Sequence, residues 1–206
     1  MRLAPAALDH LVLATPDLAR TAAWVAEHTG VWPSAGGQHV GLGTRNMLCS
    51  LSSTSYLEIV GPDPDQLDIT PARPFGVDDL TAPALVGWAI GVPDMEAALA
   101  ATRAAGYDPG ASAAMQRRRP DDVLLSWQLT FCGSKTIPFL IDWGASPHPA
   151  ETAAPGLVLA ELRARHPDPI VLSAALEALG VTMGVEHGDE SLVVEIRGPS
   201  GSVQFG

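Results

Sequence analysis

Cysteine is nearly missing: Cys49 and Cys132 are the only two in 206 residues. That excludes a disulfide framework and makes a reduced compartment, the cytoplasm, the default expectation. Basic charge is scarce too, with 12 Lys and Arg against 23 Asp and Glu and a formal net charge of −11. Nucleic acid and anionic membrane surfaces both demand a basic face, so neither is expected as a partner. The single basic run, Arg117-Arg118-Arg119, reads as a solvated loop or strand edge, with an anion-binding arm as the sharper alternative. No apolar run approaches the ~18 residues of a membrane span. The N-terminus lacks the basic region, apolar stretch and small-residue site of a signal peptide, so none is expected. There is no Gly-rich phosphate loop followed by Lys, which argues against a nucleotide cofactor, and no HExxH, GxSxG or Cys–His nucleophile pattern. Aromatics make up only 5% of the chain, yet five of them are tryptophans.

What is present is repetition. LDHLVLATPD (Leu8–Asp17) has the character of a short strand running into a helix start, and it recurs as LVGWAIGVPD (Leu85–Asp94) and LAELRARHPD (Leu159–Asp168). Each copy leads into an Ala/Leu-rich segment closed by a glycine, at Gly30, Gly106 and Gly180. The aspartate can cap the helix on its free N–H groups and the glycine can end it in the left-handed conformation. With 47% hydrophobic residues the chain has material for one domain or two small ones.

In the first unit the pattern predicts strand Leu8–Ala14, helix Leu18–Thr29, a Pro/Gly loop over Val31–Gly37, and strands Gln38–Leu42, Asn46–Leu51 and Tyr56–Val60. Asp63–Pro83 reads as a linker with room for a helical turn. The second unit predicts strand Leu85–Val92, helix Met95–Ala105 and strands Ala114–Arg118, Val123–Phe131 and Ile137–Trp143. After a second linker, Ser146–Gly156, a third unit predicts strand Leu157–Arg163, helix Pro169–Leu179 and strands Val181–His187, Leu192–Ile196 and Ser202–Phe205. The fold class expected is α+β: tandem βαβββ modules forming a curved-sheet cup, with a shorter βαβ-type C-terminal unit. The modules are bounded at 1–64, 84–146 and 156–206, the first two forming one domain.

Strand alternation places His10 opposite Leu11 and Leu13, and Glu58 opposite Leu57 and Ile59. If the aliphatic residues face a helix, the imidazole and the carboxylate converge on the concave face. Such a pair either begins a divalent-metal site or forms a buried hydrogen-bonded pair without metal. His39, in GGQHVG, shares its predicted strand face with Gly41 and Gly43 and is a candidate general base or ligand, or an ordinary edge histidine.

These modules, with a histidine on the first strand and a glutamate on the last, resemble the vicinal oxygen chelate superfamily, which includes glyoxalase I, extradiol dioxygenases and bleomycin-resistance proteins. More narrowly, GGQHVGLGTRNMLCSL…SYLEIVGPD, with LDHLVLATPDL before it and RRRPDDVLLSW…IPFLIDWGASPHP after it, is similar to the glyoxalase-like domain group. The resemblance implies a divalent metal (Zn, Ni, Mn or Fe) held by His10, Glu58 and Asp142. Counting back from each Pro-Asp aspartate puts Gly87 where the first unit has His10, so the second unit offers Asp142 alone.

Glu58 and His39 are the expected proton-moving groups, and His39, Asn46, Trp88, Trp127 and Trp143 the expected substrate contacts. Two functions follow: a metal-dependent lyase or isomerase acting on a small oxygenated substrate, or a metal-free protein that sequesters a drug or metabolite. A small molecule and a homodimer are the partners expected. Glu161 and Glu195 of the third unit read as solvent-facing carboxylates, and Glu186–Glu190 as a polar hairpin turn.

Overall fold

Each of the three units folds as strand, helix and three strands, in a computed structural model that describes residues 8–66, 72–104, 106–131 and 133–206. The lead-in 1–7, residues 67–71 of the first linker, Ala105 and Cys132 lie outside the described residues. The first unit holds β1 (Leu8–Ala14), α1 (Leu18–Thr29), β2 (Ser34–His39), β3 (Thr44–Ser52) and β4 (Ser55–Pro62). The second holds β5 (Ala84–Gly91), α2 (Met95–Ala104), β6 (Ser112–Arg118), β7 (Leu124–Thr130) and β8 (Phe139–Asp142). The third holds β9 (Val158–His166), α3 (Pro169–Ala178), β10 (Gly184–His187), β11 (Ser191–Gly198) and β12 (Gly201–Phe205). A short 3-10 turn, Pro74–Asp79, lies within the first linker and another, Pro149–Glu151, within the second.

The helix signals act as their chemistry predicts. The Asp17 carboxylate accepts from the Arg20 N–H at 3.0 Å, and Gly30, at φ 79°, donates to the Ala26 carbonyl at 2.8 Å. Asp168 caps α3 by accepting from Val171 N–H at 3.1 Å. The stretch expected as a loop over Val31–Gly37 is a correction: from Ser34 it is strand β2, paired with β3 and β6. Its glycines hide the strand signal and also permit it. A Cβ on Gly37, at φ 142°, would sit 2.0 Å from the Arg118 carbonyl oxygen. β2 ends at His39, so Gly41 and Gly43 are left-handed turn residues rather than strand neighbours of that histidine.

The cup is a closed barrel of eight strands in the order β1-β4-β3-β2-β6-β7-β8-β5. Its two halves join where β1 runs antiparallel to β5 and β2 antiparallel to β6. The third unit is the shorter one expected, with all five elements and a parallel βαβ at its start, but its strands pair differently from those of the barrel halves. In the first two units the first strand lies parallel to the last, β1 with β4 and β5 with β8. In the third, β9 lies parallel to β10 and antiparallel to β11, giving a separate sheet β10-β9-β11-β12.

Alternation sorts side chains between two layers. Leu11, Leu13, Leu57 and Ile59 point out of the barrel and pack with Val25 of α1, and the same cluster continues into Leu162, Leu172, Leu176, Val194 and Ile196 of the third unit. Each such buried side chain contributes roughly 1.5–3 kcal/mol. Val12, Ala14, Val60, Ala89, Leu129, Phe139 and Ile141 fill part of the barrel interior. His10 and Glu58, on the same strand faces as Val12 and Val60, occupy the rest. Among the described residues no helix is long and apolar enough to cross a membrane.

Candidate functional site

The first half-barrel supplies most of a buried polar cluster. On β1, His10 follows Asp9, where the pairing with β5 slips: Leu8 faces Ile90 and His10 faces Ala89, leaving Asp9 as the extra residue of a bulge. Simple alternation would send Asp9 outward with Leu11. Instead its carboxylate lies 2.6 Å from His10 Nδ1 through Oδ1, and Oδ2 accepts from Trp143 Nε1–H at 2.9 Å and from His148 Nε2 at 3.1 Å. The backbone N–H of Ala150 donates to His148 Nδ1 at 3.2 Å, which leaves Nε2 of that ring as the donor to Asp9.

Burial alone would raise the Asp9 carboxyl, but hydrogen bonds and charge from His10 and His148 overcome it and hold it at about 2. Asp9 is therefore ionised at neutral pH and can only accept. The proton of a neutral His10 ring then sits on Nδ1, and Nε2 carries its lone pair into the cavity. Tyr56 stacks on the His10 ring at 4.8 Å and Phe139 meets it edge-on at 5.4 Å, fixing its plane.

Facing His10 is Glu58 on β4, with Oε2 3.7 Å from His10 Nε2 and Oε1 3.4 Å from His39 Nε2. Asn46 on β3 donates from Nδ2 to Glu58 Oε1 at 2.6 Å. Burial would raise the Glu58 carboxyl as well; the His39 hydrogen bond, the charges of His39 and His10 and the Asn46 hydrogen bond together bring it down to about 2. His39 is steered by Thr44, its register partner, whose hydroxyl is 2.9 Å from Nδ1. From the second half-barrel, Arg117 on β6 donates from Nη1 to Asn46 Oδ1 at 3.1 Å. This corrects the solvated reading of the basic run: Arg117 is only 2% exposed, inside the barrel. Arg119 pairs with Asp121 on the surface at 2.7 Å.

These groups line one cavity. Its walls include His10, His39, Asn46, Tyr56, Glu58, Arg117, Trp127 and Trp143, with Leu42, Pro74 and Phe75 also lining it. The space open to the centre of a water-sized sphere is about 30 Å³. That is room for a few heavy atoms.

The cavity thus gathers six of the eight residues the sequence pointed to: His10, His39, Asn46, Glu58, Trp127 and Trp143. It does not bring in Asp142 or Trp88. Aligning YLEIVG (Tyr56–Gly61) with FLIDWG (Phe139–Gly144) sets Glu58 against Ile141 and Ile59 against Asp142. One residue of offset reverses the face. Asp142 shares its side of β8 with Leu140, outside the barrel, and accepts from Met95 N–H at 3.3 Å and Gly144 N–H at 2.8 Å, so it supplements the Asp94 cap of α2. Trp88 is fully buried in the outer layer and donates from Nε1 to the Thr136 carbonyl at 2.9 Å.

In the third sheet Glu161 and Glu195 are cross-strand partners, each bound by an arginine: Arg163 at 3.1 Å and Arg197 at 2.8 Å. Sequence reasoning missed Asp9, for which a histidine preceded by an acid was an available signal. It placed Arg117 at the surface, and His148, a candidate pocket residue by type, reaches the cluster through Asp9.

The donors left for a metal are His10, His39 and Glu58. They do not fit a divalent ion as arranged. The Asn46 amide N–H occupies the carboxylate oxygen of Glu58 nearest His39, and the buried guanidinium of Arg117 stands behind that amide. The amide uses an oxygen that a metal would need, and the guanidinium adds a fixed positive charge close to the site that a dication would enter against. Among the described residues no three His, Cys, Asp or Glu side chains are grouped to hold a metal ion.

Paired βαβββ halves closed into one barrel around a buried imidazole–carboxylate cluster are the fold that the sequence resembles. A family profile described as "Glyoxalase-like domain" matches residues 8–180, and the chain belongs to that family. A hypothetical protein from Staphylococcus aureus has a similar fold at TM-score 0.58 and 15% identity, over 96% of this chain and 84% of that one. A mutant 4-hydroxymandelate synthase from Streptomyces coelicolor matches at TM-score 0.51 and 13% identity, over 98% of this chain and 63% of that one. A methylmalonyl-CoA epimerase from Mycobacterium tuberculosis aligns at TM-score 0.45 and 18% identity, over 74% of this chain and 96% of that one. No curated protein matches.

Proposed function

We propose that this protein is a lyase or isomerase that moves a proton on a small oxygenated substrate inside the barrel. The observation that carries this reading is the Asp9–His10 pair at 2.6 Å, with His10 lining the cavity and its Nε2 3.7 Å from Glu58 Oε2. A buried carboxylate behind an imidazole fixes its tautomer and stabilises the imidazolium that forms when it takes a proton. In the proposed step a C–H bond next to a carbonyl breaks. The proton goes to His10 Nε2, and the electron pair stays on the substrate as an enolate or enediolate. Return of the proton to the former carbonyl carbon, with the hydroxyl proton passing to the former carbonyl oxygen, gives isomerisation; departure of a leaving group with its electron pair from the β-carbon gives elimination.

Glu58, ionised across the cavity, favours the imidazolium, and His39 is placed to pass a proton on the opposite side. No step here runs through a metal. A second reading, a sequestering protein, has one observation in its favour: Tyr56, Phe75, Trp127 and Trp143 wall the cavity, as in a ligand pocket.

The test is proton NMR of small hydroxyketones, aldehydes and 2-oxo acids in D2O with wild type, His10→Ala and Glu58→Gln. Exchange of the α-hydrogen that disappears in both variants supports the enzyme. Tryptophan quenching by a compound that never exchanges would move the assignment to the binding protein.

A further inference from the structure

Arg117 is the least explained group in the molecule. It is buried inside the barrel and lines the cavity, yet among the described residues no carboxylate lies within ion-pairing distance of it. Its one hydrogen bond is Nη1 to Asn46 Oδ1 at 3.1 Å, and Nε–H, fully buried, finds no acceptor among the described residues. Desolvating a guanidinium and leaving most of its donors idle is costly unless something else uses them.

The surroundings are shaped to keep it there. A Cβ on Gly36 would fall 2.1 Å from Asn46 Oδ1 and 2.9 Å from Arg117 Nη1, so only glycine leaves space for this pair. Asn46 then links Arg117 to Glu58, orienting both toward one volume.

We infer that Arg117, held by Asn46, is the electrophile of the site: it receives the substrate's carbonyl oxygen and the negative charge that grows on it, and the substrate is a neutral hydroxycarbonyl compound. This inference rests on the proton-transfer reading and deepens it by naming the substrate class. The carbonyl oxygen accepts from the guanidinium while the C–H proton leaves for His10, so charge forms beside a cation fixed in advance. Neutrality of the substrate follows from the charges already present. Two buried carboxylates, Asp9 and Glu58, stand at the site against one guanidinium that pairs with neither. A preformed anion would enter against that excess, whereas a carbonyl acquires its charge only as His10 acquires the balancing one. The guanidinium thereby takes the place beside the oxygen that a metal ion would need, in agreement with the donor set's misfit to a dication.

The experiment uses chelator-treated full-length protein and two probes, in wild type, Arg117→Gln and Arg117→Lys. Acetohydroxamate, a planar mimic of an enediolate, is titrated against the fluorescence of Trp127 and Trp143. Hydroxyacetone and pyruvate, neutral and anionic, are followed by deuterium exchange.

Acetohydroxamate affinity is expected to fall about 10- to 100-fold in Arg117→Gln and less in Arg117→Lys, which keeps a charge. Hydroxyacetone exchange is expected to lose about 10²-fold or more in kcat with KM little changed. Hydroxyacetone is expected to exchange faster than pyruvate. Melting temperature separates misfolding from function, and Arg117→Lys covers the case in which Arg117→Gln does not fold.

The inference is overturned if wild type does not bind acetohydroxamate, if Arg117→Gln binds it unchanged, or if pyruvate is the better substrate. Arg117-dependent binding without any exchange would instead sink the proton-transfer reading while leaving the anchor in place. Exchange indifferent to Arg117 would do the reverse.

Discussion

The two half-barrels have the same element order and the same pairing of first strand with last, yet they carry different chemistry. In the first, the inward positions of β1 and β4 hold His10 and Glu58, with Asp9 brought in by a bulge. In the second, the matching positions are Gly87 and Ile141. A Cβ on Gly87 would meet the Phe139 ring at 3.3 Å, so that ring takes the space a second ligand would need. What the second half contributes instead is Arg117, one cation, and the aromatic walls Trp127 and Trp143. On the proposed reading, a repeated fold gives one half that moves the proton and one half that holds the carbonyl oxygen and encloses the substrate. Pseudo-symmetry in the backbone does not carry over to the site.

The largest effects should come from the reactive half. His10→Ala is expected to cost proton exchange about 10²–10⁴-fold, measured as the initial rate of deuterium incorporation. Asp9→Asn should lower kcat by about 10²-fold or more, because an amide can offer its N–H to His10 Nδ1 and favour the wrong tautomer. A KM change with constant kcat in that variant would remove Asp9 from the positioning role.

Stability should show the same asymmetry. Glu58 is held at about 2 against an ordinary 4.5, so its contribution is complete above pH 4.5 and is lost as pH falls toward 2. The shift corresponds to about 3 kcal/mol, and Asp9, also at about 2, adds in the same direction. Urea unfolding between neutral pH and pH 2.5 should show this loss in wild type and a flatter profile in Glu58→Gln. An equal slope in both would contradict the assignment.

In the enclosing half, Asp142→Ala should lower stability by about 1 kcal/mol through loss of part of a helix cap and leave exchange rates unchanged. A large loss of activity there would break the comparison, because it would return Asp142 to the site. The smallest effect is expected at Phe75, which lines the cavity with φ 63°. Phe75→Gly relieves a strain of about 1 kcal/mol, offset by lost packing, so the melting temperature should barely move.

Sequence periodicity located the helices and most strands because each unit is punctuated by an Asp cap and a closing glycine. β2 was expected four residues late, at Gln38–Leu42, because Gly36 and Gly37 carry no apolar pattern, although the smallness of Gly36 is what lets Asn46 and Arg117 approach. His10 and Glu58 were legible from alternation against neighbouring leucines. Asp9 was not, since a bulge is a pairing event with no local sequence mark. Asp142 was misplaced by one residue of alignment; setting Gly61 against Gly144 gives the correct face. Arg117 looked like surface charge because its neighbours Arg118 and Arg119 are outside the barrel. One residue of a run can point inward when a strand alternates.

The most direct test of the account is α-hydrogen exchange in D2O by protein stripped with chelator, alongside Glu58→Gln. The account predicts exchange that survives stripping and is lost in the variant. Exchange that vanishes on stripping and returns with Zn, Ni, Mn or Fe would contradict it, placing a metal where Asn46 and Arg117 now stand.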